Sequence, residues 1–138
     1  MLQRKSVKNS ELTKKKRKKS GMSPTARTIA YLQKVGIRCA VVEKWIPMAN
    51  IRRDLFNIID IIALDHARGV LGIQVTSGST ASHIKKIIRT HAQETLDWLS
   101  TPGTVLEVWG WSKRKKVRGG VAYVWTPKVS EITEKDIK

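Results

Sequence analysis

The sequence predicts an α/β fold built from a helix, three strands, a second helix and two further strands, in that order. Two apolar runs rich in β-branched residues, 58–64 and 70–76, are typical of strands with both faces covered. Apolar residues at helical spacing between 84 and 99 indicate the second helix. A chain of 138 residues, 41% of them hydrophobic, suits one compact domain with tails.

The first helix is predicted to begin at Ser23 and Pro24, because serine is a good N-cap and proline fits the first helical turn. Gly36 is predicted to end it. Residues 37–45 then alternate with a period of two, which predicts a strand that Pro47 ends. Glu43 lies on this first strand.

The two apolar runs each carry one polar residue, Asp60 in residues 58–64 and Gln74 in residues 70–76. Turn-forming residues join the runs, so we expect them to form a β-hairpin. A carboxylate that is stripped of water must be paired, hydrogen-bonded or bound to a metal. Asp60 and Gln74 are therefore candidate site residues.

Beyond the second helix, Pro102 and Gly103 precede two further predicted strands at 105–111 and 120–125. A basic turn separates these strands, and the tryptophans within them are expected to be core residues for the most part. The chain is thus divided into a basic disordered tail at 1–21, a folded domain at 22–126, and a charged C-terminal tail or short helix at 127–138.

The charge favours a polyanionic partner, with nucleic acid ahead of an anionic membrane surface, because the formal net charge is +16 and the pI about 10.4. Residues 1–20 hold nine Lys or Arg and one acid, which gives this segment +8, half of the total. The remainder is therefore basic in its own right. The basic tail is predicted either to add phosphate contacts or to act as a solubilising or localisation segment.

Several classes of protein are excluded by composition. The single cysteine, Cys39, rules out an internal disulfide framework and a multi-cysteine zinc site. No stretch approaches the roughly 20 apolar residues of a membrane span, and the N-terminus lacks the apolar segment of a signal peptide. We expect a soluble intracellular protein without a membrane partner, cytoplasmic in a bacterium or phage host and nuclear in a eukaryote.

Two segments resemble the PD-(D/E)XK nuclease-like superfamily and, more closely, small phage and bacterial proteins assigned to it. They are Arg-Arg-Asp-Leu-Phe-Asn-Ile-Ile-Asp at 52–60 and Gly-Ile-Gln-Val-Thr-Ser at 72–77. The resemblance covers about residues 22–126 and includes the order of the elements. It implies a restriction-endonuclease-like core, in which a mixed central sheet is flanked by helices.

In that superfamily an Asp on the second strand and a Glu or Gln on the third hold a divalent metal, and a Lys two residues further on activates water. The resemblance places Asp60 and Gln74 at the first two positions and Thr76 where the Lys would be. It implies Mg²⁺ or Mn²⁺, held by Asp60, Gln74, the backbone carbonyl of Val75, and Glu43 as an additional acid. Lys85 or Lys86 on the second helix is expected to replace the missing lysine.

The function predicted from these features is a metal-dependent DNA endonuclease that hydrolyses phosphodiester bonds in duplex or branched DNA. The alternative is a catalytically inactive nucleic-acid-binding protein of the same fold, since Gln74 and Thr76 are substitutions that loss of activity would leave. A homodimer is a further option, because junction-cutting relatives often dimerise. The residues predicted to contact nucleic acid are basic: Arg52, Arg53, Lys113, Arg114, Lys115, Lys116 and Arg118.

Each candidate residue also has a structural interpretation. Asp60 could be a core carboxylate paired with Arg52 or Arg53, Gln74 could satisfy backbone groups, and Glu43 could be an ordinary exposed acid on its strand. Asp54 could be a second functional acid or an arginine partner in a loop, and the arginine pairing is the preferred interpretation. The two histidines of the second helix are interpreted as a surface residue, His83, and a core-facing residue, His91, rather than as metal ligands.

Overall fold

The computed structural model describes residues 21–137, so the predicted basic tail lies almost entirely outside the described residues. The helices are α1 (Pro24–Lys34), α2 (Thr80–Thr90) and α3 (Ala92–Ser100), followed by a 3₁₀ turn at Glu134–Asp136. The strands are β1 (Arg38–Val41), β2 (Lys44–Ile46), β3 (Ile51–Arg53), β4 (Ile61–Asp65), β5 (Gly69–Thr76), β6 (Thr104–Lys115) and β7 (Tyr123–Ile132).

A mixed five-stranded sheet in the order β1-β4-β5-β6-β7 forms the centre of the molecule, and β2 and β3 pair with each other in a separate two-stranded sheet. Strands β5 and β6 are parallel, while the other neighbouring pairs are antiparallel. The crossover between the two parallel strands contains α2 and α3, as parallel pairing requires. The α/β class, the mixed sheet with flanking helices, and the β4-β5 hairpin predicted from the sequence are confirmed.

Each face of the sheet has its own core. On one face Leu32 of α1 packs in a cluster with Ile61, Ile73, Trp109 and Trp111, which are buried. The opposite face is covered by α2 and α3. There, Ile87 of α2 packs with a second cluster whose other buried members are Ile58, Ile59, Leu106, Val108 and Ile132. Alternate residues of β6 therefore serve opposite cores, as a strand covered on both faces requires.

The start of α1 is as predicted. Ser23 is the N-cap, with its Oγ accepting a hydrogen bond from the Ala26 N–H at 3.1 Å, and Pro24 opens the helix. The end is formed by Gly36, whose φ of 81° lies in the left-handed region that glycine adopts without strain.

The first two predicted strands are wrong in their bounds. Residues 37–45 do not form one strand: β1 ends at Val41, and β2 starts at Lys44 in the other sheet, so Glu43 lies in the connection. The strand predicted from residue 58 begins instead at Ile61. Residues 54–60 form a tight turn, in which Phe56 and Asn57 have φ of 54° and 66°.

In the second half of the chain one predicted helix is divided, and the strand predicted at 120–125 is shifted to Tyr123–Ile132. The helix predicted as continuous over 84–99 is broken at His91 into α2 and α3. Strand β7 runs to Ile132, which is fully buried, so residues 127–132 belong to the sheet and are not a tail. Pro127 is tolerated within β7 because this strand has a neighbour on one side only.

Candidate metal centre

Asp60 is fixed at the end of the sheet where β4 begins and β5 ends. Its N–H donates to the carbonyl oxygen of Ile73 at 2.9 Å, and its own carbonyl accepts from the Val42 N–H at 2.8 Å. The Oδ2 of its side chain accepts from the Val75 N–H at 2.9 Å. Asp60 is only 7% exposed, so a buried carboxylate is held here by two neighbouring segments of backbone, β5 and the residue after β1.

Asp54 is brought beside Asp60 by the tight turn between them. Leu55 and Ile59 form an isolated antiparallel bridge, with the Leu55 N–H donating to the Ile59 carbonyl at 2.8 Å. In antiparallel pairing the residues just outside a bridged pair also lie opposite each other. Asp54 therefore faces Asp60.

Glu43 completes a cluster of three carboxylates, because it follows Val42, whose N–H is bonded to the Asp60 carbonyl. One ligand oxygen from each of Glu43, Asp54 and Asp60 can be chosen such that all lie within 4.8 Å of one another. Carboxylate oxygens gathered at this spacing fit a hard divalent cation such as Mg²⁺ or Mn²⁺. We call these three residues the acidic cluster.

The acidic cluster is short of positive charge. Burial, together with a hydrogen bond with Asp54 and repulsion by Asp54 and Glu43, raises the pKa of Asp60 to about 8, while the hydrogen bond from the Val75 N–H opposes the change. Arg52 lies 3.7 Å from Glu43 but is largely exposed. Without a cation the cluster therefore retains a proton near neutral pH, and a bound divalent cation would take its place.

Gln74 contacts the cluster through its amide nitrogen. Nε2 donates to the Ile58 carbonyl at 3.0 Å and to Oδ2 of Asp54 at 3.3 Å. The Ile58 carbonyl and an ionised Asp54 carboxylate can only accept hydrogen bonds. The Gln74 amide must therefore direct its nitrogen toward them, because its oxygen in that place could not donate. Gln74, which is 8% exposed, thus holds Asp54 in position.

A cavity of about 250 Å³ lies against the cluster. It is lined by residues from the turn, from β5 and from α2: Asp54, Asn57, Asp60, Gln74, Val75, His83, Lys86, Ile87 and His91. Of the two lysines proposed from sequence, Lys86 lines both this cavity and a surface groove on α2, whereas Lys85 lines the groove and not the cavity. Thr76 does not line the cavity, because its Oγ1 accepts a hydrogen bond from the Gly78 N–H at 2.8 Å.

For three residues beside the cavity, Asp54, His83 and His91, the structure differs from the interpretation favoured by the sequence. Asp54 joins the acidic cluster rather than pairing with an arginine, and Arg52 lies instead by Glu43. His83 and His91 both line the cavity. A sequence signal for the histidines existed, since they stand four residues either side of Ile87 and so share its helical face.

The basic residues predicted to contact nucleic acid are exposed and lie on two hairpins. Arg52 and Arg53 belong to the β2-β3 hairpin, which follows β1 directly. Strand β6 pairs with β5 up to Gly110 and then continues five residues to Lys115. Since β1, β5 and β6 all point their carboxyl ends the same way, both hairpins extend from the end of the sheet that carries the acidic cluster.

Comparison with known proteins gives no match to this chain among protein-family models, curated proteins or solved structures. Among residues 21–137 no helix is both long enough and apolar enough to cross a membrane. The function is therefore inferred from the geometry of the acidic cluster and its surroundings.

Proposed function

We propose that this chain is a metal-dependent DNA endonuclease of the PD-(D/E)XK nuclease-like superfamily, with Mg²⁺ or Mn²⁺ held by the acidic cluster. The observation that carries this proposal is the convergence of Glu43, Asp54 and Asp60 within 4.8 Å of one another beside a polar cavity. A partly buried cluster of like charges is costly unless a cation offsets it, so its presence favours a binding site over a structural role.

The order of elements supports the proposed fold. A helix precedes three strands of the central sheet that are adjacent and antiparallel, and a helical crossover then leads to a strand parallel to the third. This order agrees with the one that the resemblance implies. Asp60 lies where the second of these strands begins and Gln74 on the third, the relation that the superfamily motif requires.

The proposed metal ligands differ from those that the resemblance implies. Asp54 supplies the charge that a Glu at position 74 would have supplied, and Gln74 orients Asp54 by donating from Nε2 at 3.3 Å. The neutral Gln74 is then a positioning residue, which is the usual role of groups that hydrogen-bond to metal ligands. When bound, the divalent ion would polarise the scissile phosphate and lower the pKa of a water molecule.

Lys86 is the proposed substitute for the lysine that Thr76 replaces. It lines the cavity from α2, whereas Lys85, its neighbour in the chain, does not. An ammonium group at this place would stabilise negative charge that develops on the phosphate during attack. His83 and His91 line the same cavity.

DNA is the proposed substrate because positive charge borders the acidic cluster on both sides. The β2-β3 hairpin carries Lys44, Arg52 and Arg53, and the end of the β6-β7 hairpin carries Lys113, Arg114 and Lys115, all exposed. Such residues would neutralise phosphates and release counterions, so binding should weaken steeply with salt.

The test is cleavage by the purified full chain with Mg²⁺ or Mn²⁺ on duplex, single-stranded and branched DNA. We expect cleavage that Asp60→Ala reduces by about 1,000-fold or more, because the metal loses its central ligand. Asp97→Ala, which removes an exposed acid of α3, is the matched control and should retain activity.

Calorimetric titration distinguishes the nuclease hypothesis from the alternative, an inactive binding protein. Thr76 at the position of the usual lysine favours that alternative. A heat of Mg²⁺ or Mn²⁺ binding that is present in the wild type and absent in Asp60→Ala supports the nuclease. DNA binding without either metal binding or cleavage would support the inactive protein instead.

A further inference from the structure

The β2-β3 hairpin has an unusual surface for an exposed element. Its strands pair with each other through Lys44-Arg53, Trp45-Arg52 and Ile46-Ile51, and belong to a sheet separate from the central one. The Asn50 N–H donates to the Pro47 carbonyl at 3.1 Å and closes the connecting turn. The tip is apolar: Met48 is 96% exposed, and Trp45 and Ile51 are 50% and 45% exposed.

The charge of the hairpin indicates which kind of partner contacts its apolar tip. Residues 44–53 contain Lys44, Arg52 and Arg53 and no acidic residue, so the hairpin carries +3. An apolar tip bordered only by cations is poorly suited to a partner that is itself basic, such as a second copy of a chain with net charge +16. Apolar side chains bordered by Arg and Lys are the combination by which proteins insert a wedge between base pairs.

The hairpin is also tied directly to the acidic cluster. Glu43 immediately precedes β2 and Asp54 immediately follows β3, so two of the three clustered carboxylates form the base of the hairpin. Met48 stands five residues from Glu43, which at the rise of an extended strand is at most about 17 Å. Nucleic acid in contact with the tip would thus lie within about five base steps, or half a turn of duplex, of the cluster.

We propose that the β2-β3 hairpin is a wedge that inserts Met48 into the base stack of DNA and unstacks the bases next to the acidic cluster. This inference deepens the proposed function and rests on it, because it assigns the substrate class: DNA that is bent or branched, where a base step opens at least cost. Arg52, Arg53 and Lys44 hold the phosphates on either side of the opened step.

The test uses duplexes and three-way junctions carrying the fluorescent base 2-aminopurine, whose emission rises when it is unstacked. Binding is measured with Ca²⁺ in place of Mg²⁺ and with the Asp60→Asn variant, so that cleavage is not needed. We expect emission to rise when the wild-type protein binds. Met48→Ser should remove most of that rise and weaken binding about tenfold, because an apolar contact is lost.

Two control variants isolate the role of the tip. Met48→Leu keeps an apolar side chain and should retain the rise in emission. Val121→Ser alters a residue that is 90% exposed in the loop of the β6-β7 hairpin, and should change neither emission nor affinity. Circular dichroism should be the same for all three variants, because both substituted positions are exposed.

Several results would overturn the wedge, and they differ from failure of the nuclease. Wild-type binding without a rise in emission excludes insertion even if the protein cleaves DNA. A dimer that Met48→Ser converts to monomer, with emission unchanged, would assign the tip to a second copy. Absence of DNA binding rejects both proposals, whereas a rise in emission from a protein that cleaves no substrate retains the wedge and rejects only the nuclease.

Discussion

Two buried carboxylates in the same sheet have opposite surroundings. Glu107 on β6 is 3% exposed and accepts hydrogen bonds from the Arg68 guanidinium and, at 3.0 Å, from the Trp109 indole N–H. Asp60, at the start of β4, is 7% exposed and accepts from one backbone N–H, while its nearest charged neighbours are Asp54 and Glu43. One carboxylate is neutralised by the fold and the other is not.

The difference teaches how to distinguish a structural acid from a candidate ligand. A buried charge must be compensated, and for Glu107 the compensation comes from within the chain, since its hydrogen bond also raises the pKa of Arg68. At Asp60 burial and neighbouring acids raise the pKa to about 8, so a proton or an external cation is needed. Burial alone does not distinguish Glu107 from Asp60 as a candidate metal ligand.

The largest expected effect in this comparison is the loss of folding stability when Glu107 is replaced. Glu107→Ala should lower the free energy of unfolding by about 3 kcal/mol, because it leaves the Trp109 N–H buried without an acceptor and Arg68 without its partner. Urea denaturation measures the change. Glu131→Ala, which removes the exposed acid opposite Glu107 on β7, should cost less than about 0.5 kcal/mol. Equal losses in the two variants would show that the buried pair contributes nothing.

The second prediction concerns pH in the metal-free protein. Because the folded-state pKa of Asp60 is about 8 and the unfolded value about 4, the folded state binds more protons between these values. The contribution of Asp60 to stability is therefore full below about pH 4 and is lost as pH rises through about 8. Urea denaturation of the wild type in EDTA should show this loss, and Asp60→Asn should lessen it.

The same measurement with Mg²⁺ completes the pH test. A bound divalent cation favours the ionised carboxylate, so Mg²⁺ should restore wild-type stability at pH 8 and have little effect on Asp60→Asn. Identical pH profiles of the two proteins in EDTA would contradict the assignment of the raised pKa to Asp60.

The smallest expected effect is at Gln74, which acts through Asp54. Gln74→Ala should weaken Mn²⁺ binding about tenfold, as removal of a group that orients a metal ligand typically does. Thr76→Ser is the control on the same strand, since it keeps the hydroxyl that accepts from Gly78. Calorimetric titration with Mn²⁺ compares them. Loss of all binding in Gln74→Ala would instead make Gln74 a direct ligand.

Much of the fold was predictable, and the errors share a cause. The α1 cap and the β4-β5 hairpin follow from local signals that the structure confirms, and the strands of the central sheet occur in the predicted order. The β2-β3 hairpin and the division of the second helix were not predicted. The predicted strand at 37–45 is divided because its two halves pair with different strands, β4 and β3. Alternation shows that a segment can be a strand, but the partner that it pairs with is set by distant residues.

The candidate site was less accessible than the fold. The sequence identified Asp60, Gln74 and Glu43 as candidate ligands, yet favoured pairing of Asp54 with an arginine. The position of Asp54 depends on the bridge between Leu55 and Ile59, within a turn where Phe56 has a φ of 54°. A left-handed phenylalanine has no local signature, because a residue of this bulk does not prefer that conformation by itself.

The sequence by itself determined the α/β class, the basic character of the chain, and the presence of polar residues in strands that should be apolar. These properties depend on composition and periodicity, which are local. The tertiary structure alone decided that Asp60 has acids for neighbours while Glu107 has a cation, and that Lys86 rather than Lys85 lines the cavity. Compensation of a buried charge depends on distance in space, and the residues concerned are brought together only when the sheet is complete.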